Sequence, residues 1–186
     1  AWLQRALDEI PPDTDVLDLG CGAGVPMTQA LATDGRRVTG VDISARQVEL
    51  ARANVPSAIF LQSDMTTLDL PPASLDAVAA FYALTHVPRT EHAALLGRIR
   101  GWLRPGGLLI ATMGADDSPD EVEEDWLGAP MFFSHFGART NRALVRRVGF
   151  EIVEAVVAEE PEDRHAARFL WVVARKGRAA GPRPQR

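Results

Sequence analysis

The sequence predicts a single α/β domain built on an open, mostly parallel sheet with helices on both faces. Apolar strand-like segments alternate along the chain with segments of helical periodicity. The first strand segment, at 16–19, runs directly into a glycine-rich turn. Asp42 ends the second strand about twenty residues later, a spacing typical of the acidic ribose-binding group in open α/β sheets. These observations together favour a doubly wound sheet with its ligands at the carboxyl ends of the strands.

Seven strands are predicted from apolar runs bounded by turn residues. They cover 16–19, Arg37–Asp42, Ala58–Gln62, Leu75–Phe81, Leu108–Met113, Glu151–Val157 and Arg168–Ala174. About ten residues join the last two strands, too few for a crossover helix, so this pair is expected to be antiparallel. We expect one domain over 1–176, with a lid-like insertion at about 114–137 and a flexible tail at 177–186.

Five helices are predicted between and around these strands. They are Trp2–Ile10, one beginning near Val25, one from a Ser44 cap to Asn54, one capped by Thr90, and one beginning near Arg139 and closed by Gly149. The first helix of the sheet directs its unpaired amide groups toward the glycine turn.

Composition and charge limit the classes of function. The chain has 186 residues, of which 46% are hydrophobic and 24% charged, as in ordinary globular proteins. No apolar run approaches the roughly 20 residues of a membrane span. The net charge of −5 argues against a large phosphate-binding surface, so no nucleic-acid partner is expected. The single cysteine fits a reducing, cytoplasmic location, and the start at Ala1 rather than Met leaves room for a preceding segment.

The glycine turn is the most informative stretch of the sequence. Val-Leu-Asp-Leu-Gly-Cys-Gly-Ala-Gly at 16–24 places Gly20, Gly22 and Gly24 at alternate positions. Glycines here allow unusual backbone angles and let a ligand approach the main chain. A dinucleotide-binding fingerprint would have its third glycine at position 25, where this chain has Val25. The spacing therefore disfavours a nicotinamide-dependent enzyme.

The Asp-x-Gly-x-Gly-x-Gly run, from Asp18 to Gly24, and the Leu-Arg-Pro-Gly-Gly turn at 103–107 resemble motifs of the class I S-adenosylmethionine-dependent methyltransferases. The resemblance covers about Asp13 to Ala174. It implies a Rossmann-like, three-layer αβα fold whose seven-stranded sheet has an antiparallel last strand. It also implies S-adenosyl-L-methionine as the cofactor, S-adenosyl-L-homocysteine as the product, and methyl transfer to a small-molecule O, N or C nucleophile, in the manner of quinone, lipid and secondary-metabolite methyltransferases.

The resemblance implies a set of cofactor-binding residues near the carboxyl ends of the strands. They are Asp18, Gly20, Cys21, Gly22, Gly24, Asp42, Ile43, Gln47, Asp64, Met65, Phe81 and Tyr82. Asp42 would accept hydrogen bonds from the ribose hydroxyls, and Asp64 from the adenine amino group, with the Met65 amide at the ring. Structural alternatives remain for three of them: Cys21 as a small turn residue, Gln47 as the partner of Ser44 in a capping box, and Asp64 as a turn former.

Two histidines are candidates for a general base, because neutral imidazole accepts protons near pH 7. His86 follows the fourth strand, and the alternative role is to fix the local loop. His135 lies in the apolar stretch 131–136, which suggests a wall over an acceptor pocket or else a packed amphipathic lid helix. His92 and His165 are interpreted as surface residues, and no metal ligands are assigned.

Other interpretations stay open at this stage. The acidic run Asp116–Asp125 could attract a cationic acceptor or simply form a solvated lid. A non-catalytic S-adenosylmethionine-binding module is the alternative to an enzyme. The segment Ala80-Phe81-Tyr82-Ala83 lacks the Asn/Asp-Pro-Pro-aromatic motif of amino-directed base methyltransferases, which favours a small-molecule acceptor.

Overall fold

The computed structural model describes residues 2–126, 128–161 and 166–178. The strands within these residues are β1 (Asp15–Leu19), β2 (Arg37–Asp42), β3 (Ile59–Gln62), β4 (Leu75–Ala80), β5 (Leu103–Gly114), β6 (Ser118–Trp126), β7 (Ala129–His135), β8 (Phe150–Pro161) and β9 (Ala166–Lys176). The helices are α1 (Trp2–Asp8), α2 (Met27–Leu31), α3 (Ala45–Asn54), α4 (His92–Trp102), α5 (Ala138–Val148) and the short 3-10 helix Leu84–His86. The predicted tail beyond residue 178 and His165 lie outside the described residues.

Seven strands form one sheet in the order β3-β2-β1-β4-β5-β9-β8. Neighbouring strands from β3 through β5 are parallel. Strand β9 is antiparallel to both of its neighbours, β5 and β8. The prediction of a reversed last strand is confirmed. The physical reason is the short connection between β8 and β9, which can close a hairpin but cannot cross the sheet.

Helices cover both faces of the sheet, as predicted. Leu17 and Leu19 of β1 pack into the core shared with α4 and α5, whereas Val16 packs into the core shared with α1 and α2. This alternation follows from the period of two in a strand, which sends neighbouring side chains to opposite faces. Strand β1 is buried on both sides. Its carboxyl end lies at the rim of the sheet, where the glycine turn begins.

The described residues of the segment at 114–137 form strands rather than a helix. Strands β6 and β7 pair as a separate two-stranded antiparallel hairpin, so the alternative of a packed lid helix is wrong. Phe132 pairs with Val122 and Phe133 with Glu121 across the hairpin. Aromatic side chains favour such pleated surfaces, where cross-strand neighbours support one another.

Two local predictions also need correction. The Leu-Arg-Pro-Gly-Gly stretch lies inside β5, where residues 104–107 face the single residue Asp76 of β4 in an irregular pairing. Arg104 holds this irregularity by donating to the Asp76 carboxylate at 2.6 Å. Helix α4 starts one residue after Glu91, without a side-chain cap, so Thr90 does not cap it.

None of the helices in the described ranges is long and apolar enough to cross a membrane.

Candidate active site

The glycine turn and the end of β2 are joined by hydrogen bonds from backbone amides to one carboxylate. Asp42 accepts from the Gly22 amide at 2.9 Å through Oδ2 and from the Ser44 amide at 2.9 Å through Oδ1. Gly20 and Gly22 both have positive φ values, +71° and +52°, which L side chains rarely adopt. A carboxylate has about four acceptor positions, so Asp42 keeps capacity for a ligand while it fixes the turn.

Asp64 stands at the same rim, after β3. Its Oδ1 accepts from the Thr66 amide at 2.7 Å and from the Thr66 hydroxyl at 2.8 Å. The structural role considered for Asp64, that of a turn former, is therefore present. It does not exclude a ligand, because the same residue also lines a cavity together with Met65.

A cavity of about 640 Å³ lies over these strand ends, within the size range of small-molecule sites. Nine of the candidate residues line it: Gly20, Gly22, Asp42, Ile43, Gln47, Asp64, Met65, Tyr82 and His86. The lining residues that sequence reasoning missed are Ser44, Ser63, Thr66, Ala83, Val87, Pro88, Glu91 and Met131. Most of these missed residues are sequence neighbours of predicted ones, so their positions just after the strand ends could have identified them. Met131 comes from β7, whose hairpin pairing the sequence did not reveal.

The remaining cofactor-site candidates lie outside the cavity lining. Asp18 is 1% exposed beneath the turn, and a Cβ added at Gly24 would meet Val55 at 3.1 Å and Ala51 at 3.4 Å. Burial, with the nearby Asp18 and Asp42 charges, raises the pKa of the Cys21 thiol to about 12, which leaves it unreactive. Phe81 is buried against Trp171, with ring centroids 6.1 Å apart.

Phe81 and Tyr82 were both predicted at the cofactor site, but only Tyr82 lines the first cavity. Residues at 77, 79 and 81 face one side of the sheet, so the periodicity of β4 carries Phe81 into the core. Tyr82 has a φ of +54°, and its amide donates to the Thr112 hydroxyl at 2.5 Å. This conformation turns the Tyr82 ring toward Phe169, at a centroid distance of 5.0 Å.

The buried Asp18 should make folding stability depend on pH. Burial raises the pKa of its carboxyl to about 7, although a 2.6 Å hydrogen bond from Thr28 opposes the shift. Because the folded-state pKa exceeds the ordinary value of 3.8, ionisation favours the unfolded chain. The free energy of unfolding is then expected to fall as pH rises from about 4 through 7.

Asp18→Asn tests this expectation, because an amide oxygen can still accept from Thr28 but cannot ionise. Urea unfolding gives the difference in the free energy of unfolding between the variant and the original chain. We expect this difference to shift in favour of the variant as the pH is raised from about 5 to about 8. The exposed Asp69→Asn serves as the matched control. An equal pH dependence in Asp18→Asn and the original chain would contradict the assignment.

A second cavity of about 680 Å³ adjoins the first, and Tyr82 and His86 line both. His86 Nδ1 lies 2.8 Å from the Phe132 carbonyl oxygen, and His135 Nδ1 lies 2.7 Å from the Asp116 carbonyl oxygen. A carbonyl oxygen only accepts, so in each neutral ring Nδ1 carries the proton and Nε2 has the free lone pair. Both histidines line the second cavity, but only His86 also lines the first.

The hairpin is fastened to the segment that follows the 3-10 helix. Ser134 is completely buried, accepts from the Arg89 amide at 2.8 Å and donates to the Asp120 carboxylate at 2.7 Å. The Arg89 guanidinium lies 5.2 Å from the centre of the Phe136 ring. Together with the hydrogen bond between His86 and the Phe132 carbonyl, these contacts hold the hairpin in its place beside the two cavities.

Ser134→Ala is expected to loosen the hairpin, because it leaves the Arg89 amide and the Asp120 carboxylate without this buried partner. A buried group that loses its partner costs about 1 to 3 kcal/mol. Amide hydrogen exchange over residues 118–135 should accelerate about 5- to 150-fold. Ser118→Ala, on the same strand pair but only partly buried, is the control. Unchanged protection in Ser134→Ala would show that other contacts hold the hairpin.

His92 is not the surface residue that was expected. It is 2% exposed, its Nε2 lies 3.0 Å from the Val87 carbonyl oxygen, and burial lowers the pKa of its imidazole. The sequence did contain a signal: His92 stands three and four residues before Leu95 and Leu96, and therefore on the apolar stripe of α4.

Comparisons with known proteins agree with this geometry. Residues 16–107 match the family model described as "Methyltransferase domain". The 2-methyl-6-phytyl-1,4-hydroquinone methyltransferase of Synechocystis sp. is 38% identical, over 56% of this chain and 33% of its own length. An O-methyltransferase of Pyrenophora dematioidea is 28% identical, over 91% of this chain and 65% of its own.

A solved structure of an S-adenosylmethionine-dependent methyltransferase from Methanosarcina mazei supports the fold. It superposes with a TM-score of 0.79 at 22% identity, over 92% of this chain and 96% of the other. The chain belongs to the S-adenosylmethionine-dependent methyltransferases. It spans only 33% and 65% of the length of the two curated relatives.

The residues of this methyltransferase fit S-adenosylmethionine. A Cβ added at Gly22 would meet no atom within 4 Å, so the turn leaves open space on its ligand side. Asp42, Asp64 and Glu91 line the first cavity, and no lysine or arginine of the described residues does. The cofactor carries a sulfonium and an ammonium group against one carboxylate, whereas a dinucleotide carries an anionic pyrophosphate. The charge of the cavity therefore favours the cationic cofactor.

Asp42→Ala in this methyltransferase should weaken cofactor binding by roughly 2 to 3 kcal/mol, the scale of hydrogen bonds to a charged group. Part of this loss would come from the turn, since Asp42 accepts from the Gly22 and Ser44 amides. Calorimetric titration with S-adenosylhomocysteine measures the effect. Ser44→Ala, which keeps the backbone amide, controls for changes in the cap of α3. An unchanged affinity in Asp42→Ala would remove Asp42 from the cofactor site.

Proposed function

We propose that this chain transfers the methyl group of S-adenosylmethionine to a small molecule bound in the second cavity. The main support is the pair of adjoining cavities, one acidic and glycine-lined at the strand ends, the other lined in part by the hairpin. When bound, the cofactor supplies a sulfonium methyl group, which passes to a lone pair of the acceptor as the carbon–sulfur bond breaks and its electrons stay on sulfur as a neutral thioether.

Residues of the turn and the strand ends would hold the cofactor in the first cavity. Asp42 would accept hydrogen bonds from the ribose hydroxyls, and Asp64 would accept from the adenine amino group through the oxygen that does not serve Thr66. Met65, which lines the same cavity, would contact the adenine. The absence of a Cβ at Gly22 lets the cofactor reach the main chain.

His86 is the general base in this proposal. It lines both cavities, so its imidazole lies at the boundary that the methyl group must cross. The Phe132 carbonyl keeps the proton on Nδ1 and leaves Nε2 to take a proton from the acceptor as the new bond forms. His135 lines only the second cavity and orients the acceptor there. Much of the remaining rate enhancement is positioning, because the leaving thioether needs no protonation.

The first experiment is a calorimetric titration with S-adenosylmethionine and S-adenosylhomocysteine, with NADH as the control ligand. Micromolar binding of the adenosyl ligands alone supports the cofactor site, and saturable NADH binding would contradict it. Transfer of radiolabelled methyl groups to a panel of phenols, amines and hydroxy acids then tests turnover. Binding without transfer to any member would favour a non-catalytic cofactor-binding module. Stoichiometric transfer to RNA or DNA would overturn the small-molecule proposal.

A further inference from the structure

One face of the β6–β7 hairpin lines the second cavity. Strand pairing places Glu121 opposite Phe133 and Ser118 opposite His135, and all four residues line this cavity. Residues directly opposite each other in an antiparallel pair share a face of the sheet. Register shifts between Ser118 and Glu121, and again before Trp126, keep Trp126 on the lining as well.

The charge of this cavity is unbalanced. Asp116, Glu121 and Glu123 contribute carboxylates, and Arg168 is the single lysine or arginine among the described lining residues. Arg168 is paired with Asp116 at 3.1 Å. In the described part of the chain, no ion pair involves Glu121 or Glu123, and the Ser118 hydroxyl donates to Glu121 at 3.2 Å. The cavity therefore presents two carboxylates without a cationic partner from those residues.

Aromatic rings surround the same space. Trp126 and Phe133 meet edge to face, with centroids 5.1 Å apart, and Tyr82 and Phe169 meet edge to face at 5.0 Å. All four rings line the cavity. Ring faces attract cations and also bury apolar surface, and carboxylates beside them add direct attraction. Rings, together with carboxylates that form no ion pair with a described residue, make an environment suited to an organic ammonium ion and unfavourable to an anion.

We propose that the methyl acceptor is a cationic amine with an aromatic or apolar body, whose ammonium group binds at Glu121 and Glu123. This inference rests on the proposed function, which makes the second cavity the acceptor site. Glu121 and Glu123 line the second cavity alone, whereas Tyr82 and His86 stand at the wall shared with the cofactor cavity. The ammonium is thus an anchoring group, and a different atom of the acceptor, such as a hydroxyl oxygen, faces His86 and receives the methyl group.

Three probes with one scaffold test the proposal: tyramine, tyrosol and 4-hydroxyphenylacetate carry an ammonium, a neutral hydroxyl and a carboxylate on the same phenol. Their binding to the chain saturated with S-adenosylhomocysteine is measured by calorimetry. We expect tyramine to bind about tenfold more tightly than tyrosol, with 4-hydroxyphenylacetate the weakest. Equal or tighter binding of tyrosol or of the carboxylate would overturn the proposal, and so would the absence of tyramine binding at millimolar concentration.

Matched charge variants assign the effect to the cavity. The double variant E121Q/E123Q should reduce the preference for tyramine over tyrosol to about twofold or less. The double variant E124Q/D125N removes the same charge from residues of β6 that do not line the cavity, and it should keep the preference. A preference that survives in E121Q/E123Q would overturn the role of these carboxylates. If the original chain did not bind S-adenosylhomocysteine, that result would instead refute the proposed function.

Discussion

The Gly22→Val variant is expected to lose cofactor binding, with the dissociation constant for S-adenosylmethionine rising about 100-fold or more. The side chain would project into the open space of the first cavity, where a Cβ meets no protein atom. It would thus occupy volume that the cofactor requires. Gly22→Ala places a single methyl group there and should give an intermediate loss of affinity. Calorimetric titration of both variants measures the series.

Backbone strain must be separated from this steric effect. Gly22 has a φ of +52°, and a non-glycine residue in this region costs roughly 1 to 2 kcal/mol in the folded state. Gly128 offers a matched control: it has a φ of +88°, has no neighbour within 4 Å of an added Cβ, and does not line the cofactor cavity. Gly128→Ala should be strained but bind the cofactor normally. Normal binding by a folded Gly22→Val would contradict the proposed cofactor position.

His86→Asn is expected to lower kcat about 10²- to 10⁴-fold, the usual range for loss of a general base. Asparagine can place its amide nitrogen near the position of Nδ1 and keep the hydrogen bond to the Phe132 carbonyl, but it has no group in the place of Nε2. The hairpin should therefore remain attached while proton transfer is lost. Methyl transfer under saturating substrates gives kcat, and calorimetry gives the cofactor affinity, which should change little.

His135→Asn is the matched comparison, because His135 makes the same kind of bond to the Asp116 carbonyl. We expect a smaller loss of kcat and a higher KM, consistent with a role in orienting the acceptor. Full activity in His86→Asn together with a large loss in His135→Asn would transfer the role of base to His135. Full activity in both variants would mean that the acceptor needs no protein base.

The main sheet could be predicted from the sequence because its signals are local. Each parallel strand is a short apolar run, and the connection of about ten residues before Arg168 already required an antiparallel partner. The residues around Asp42 and Asp64 follow from the same logic, since the ends of parallel strands meet at one rim. Phe81 shows the limit of this reasoning: β4 is buried on both faces, so its apolar pattern does not reveal that Phe81 lies on a core-facing side while Tyr82 reaches the cavity.

The hairpin could not be predicted for a comparable reason. Its first strand, β6, is almost entirely exposed and acidic. Its sequence therefore lacks the alternation of apolar and polar residues by which a half-buried strand is recognised. The irregular pairing at both ends of β6 also shifts Ser118 and Trp126 relative to a regular alternation. Met131, Glu121 and Glu123 were missed as individual lining residues because their positions depend on this pairing.

The attachment of the hairpin has a consequence for how such a chain can diversify. The residues that line the first cavity come mainly from the turns after β1 to β4, whereas β6 and β7 form one continuous excursion between β5 and α5. Mutations along that excursion alter the walls of the second cavity while the sheet and its glycine turn keep their sequence. With the second cavity as the proposed acceptor site, evolution could change which molecule is modified without rebuilding the cavity at the glycine turn, provided that Ser134 and the Phe132 carbonyl still hold the hairpin in register.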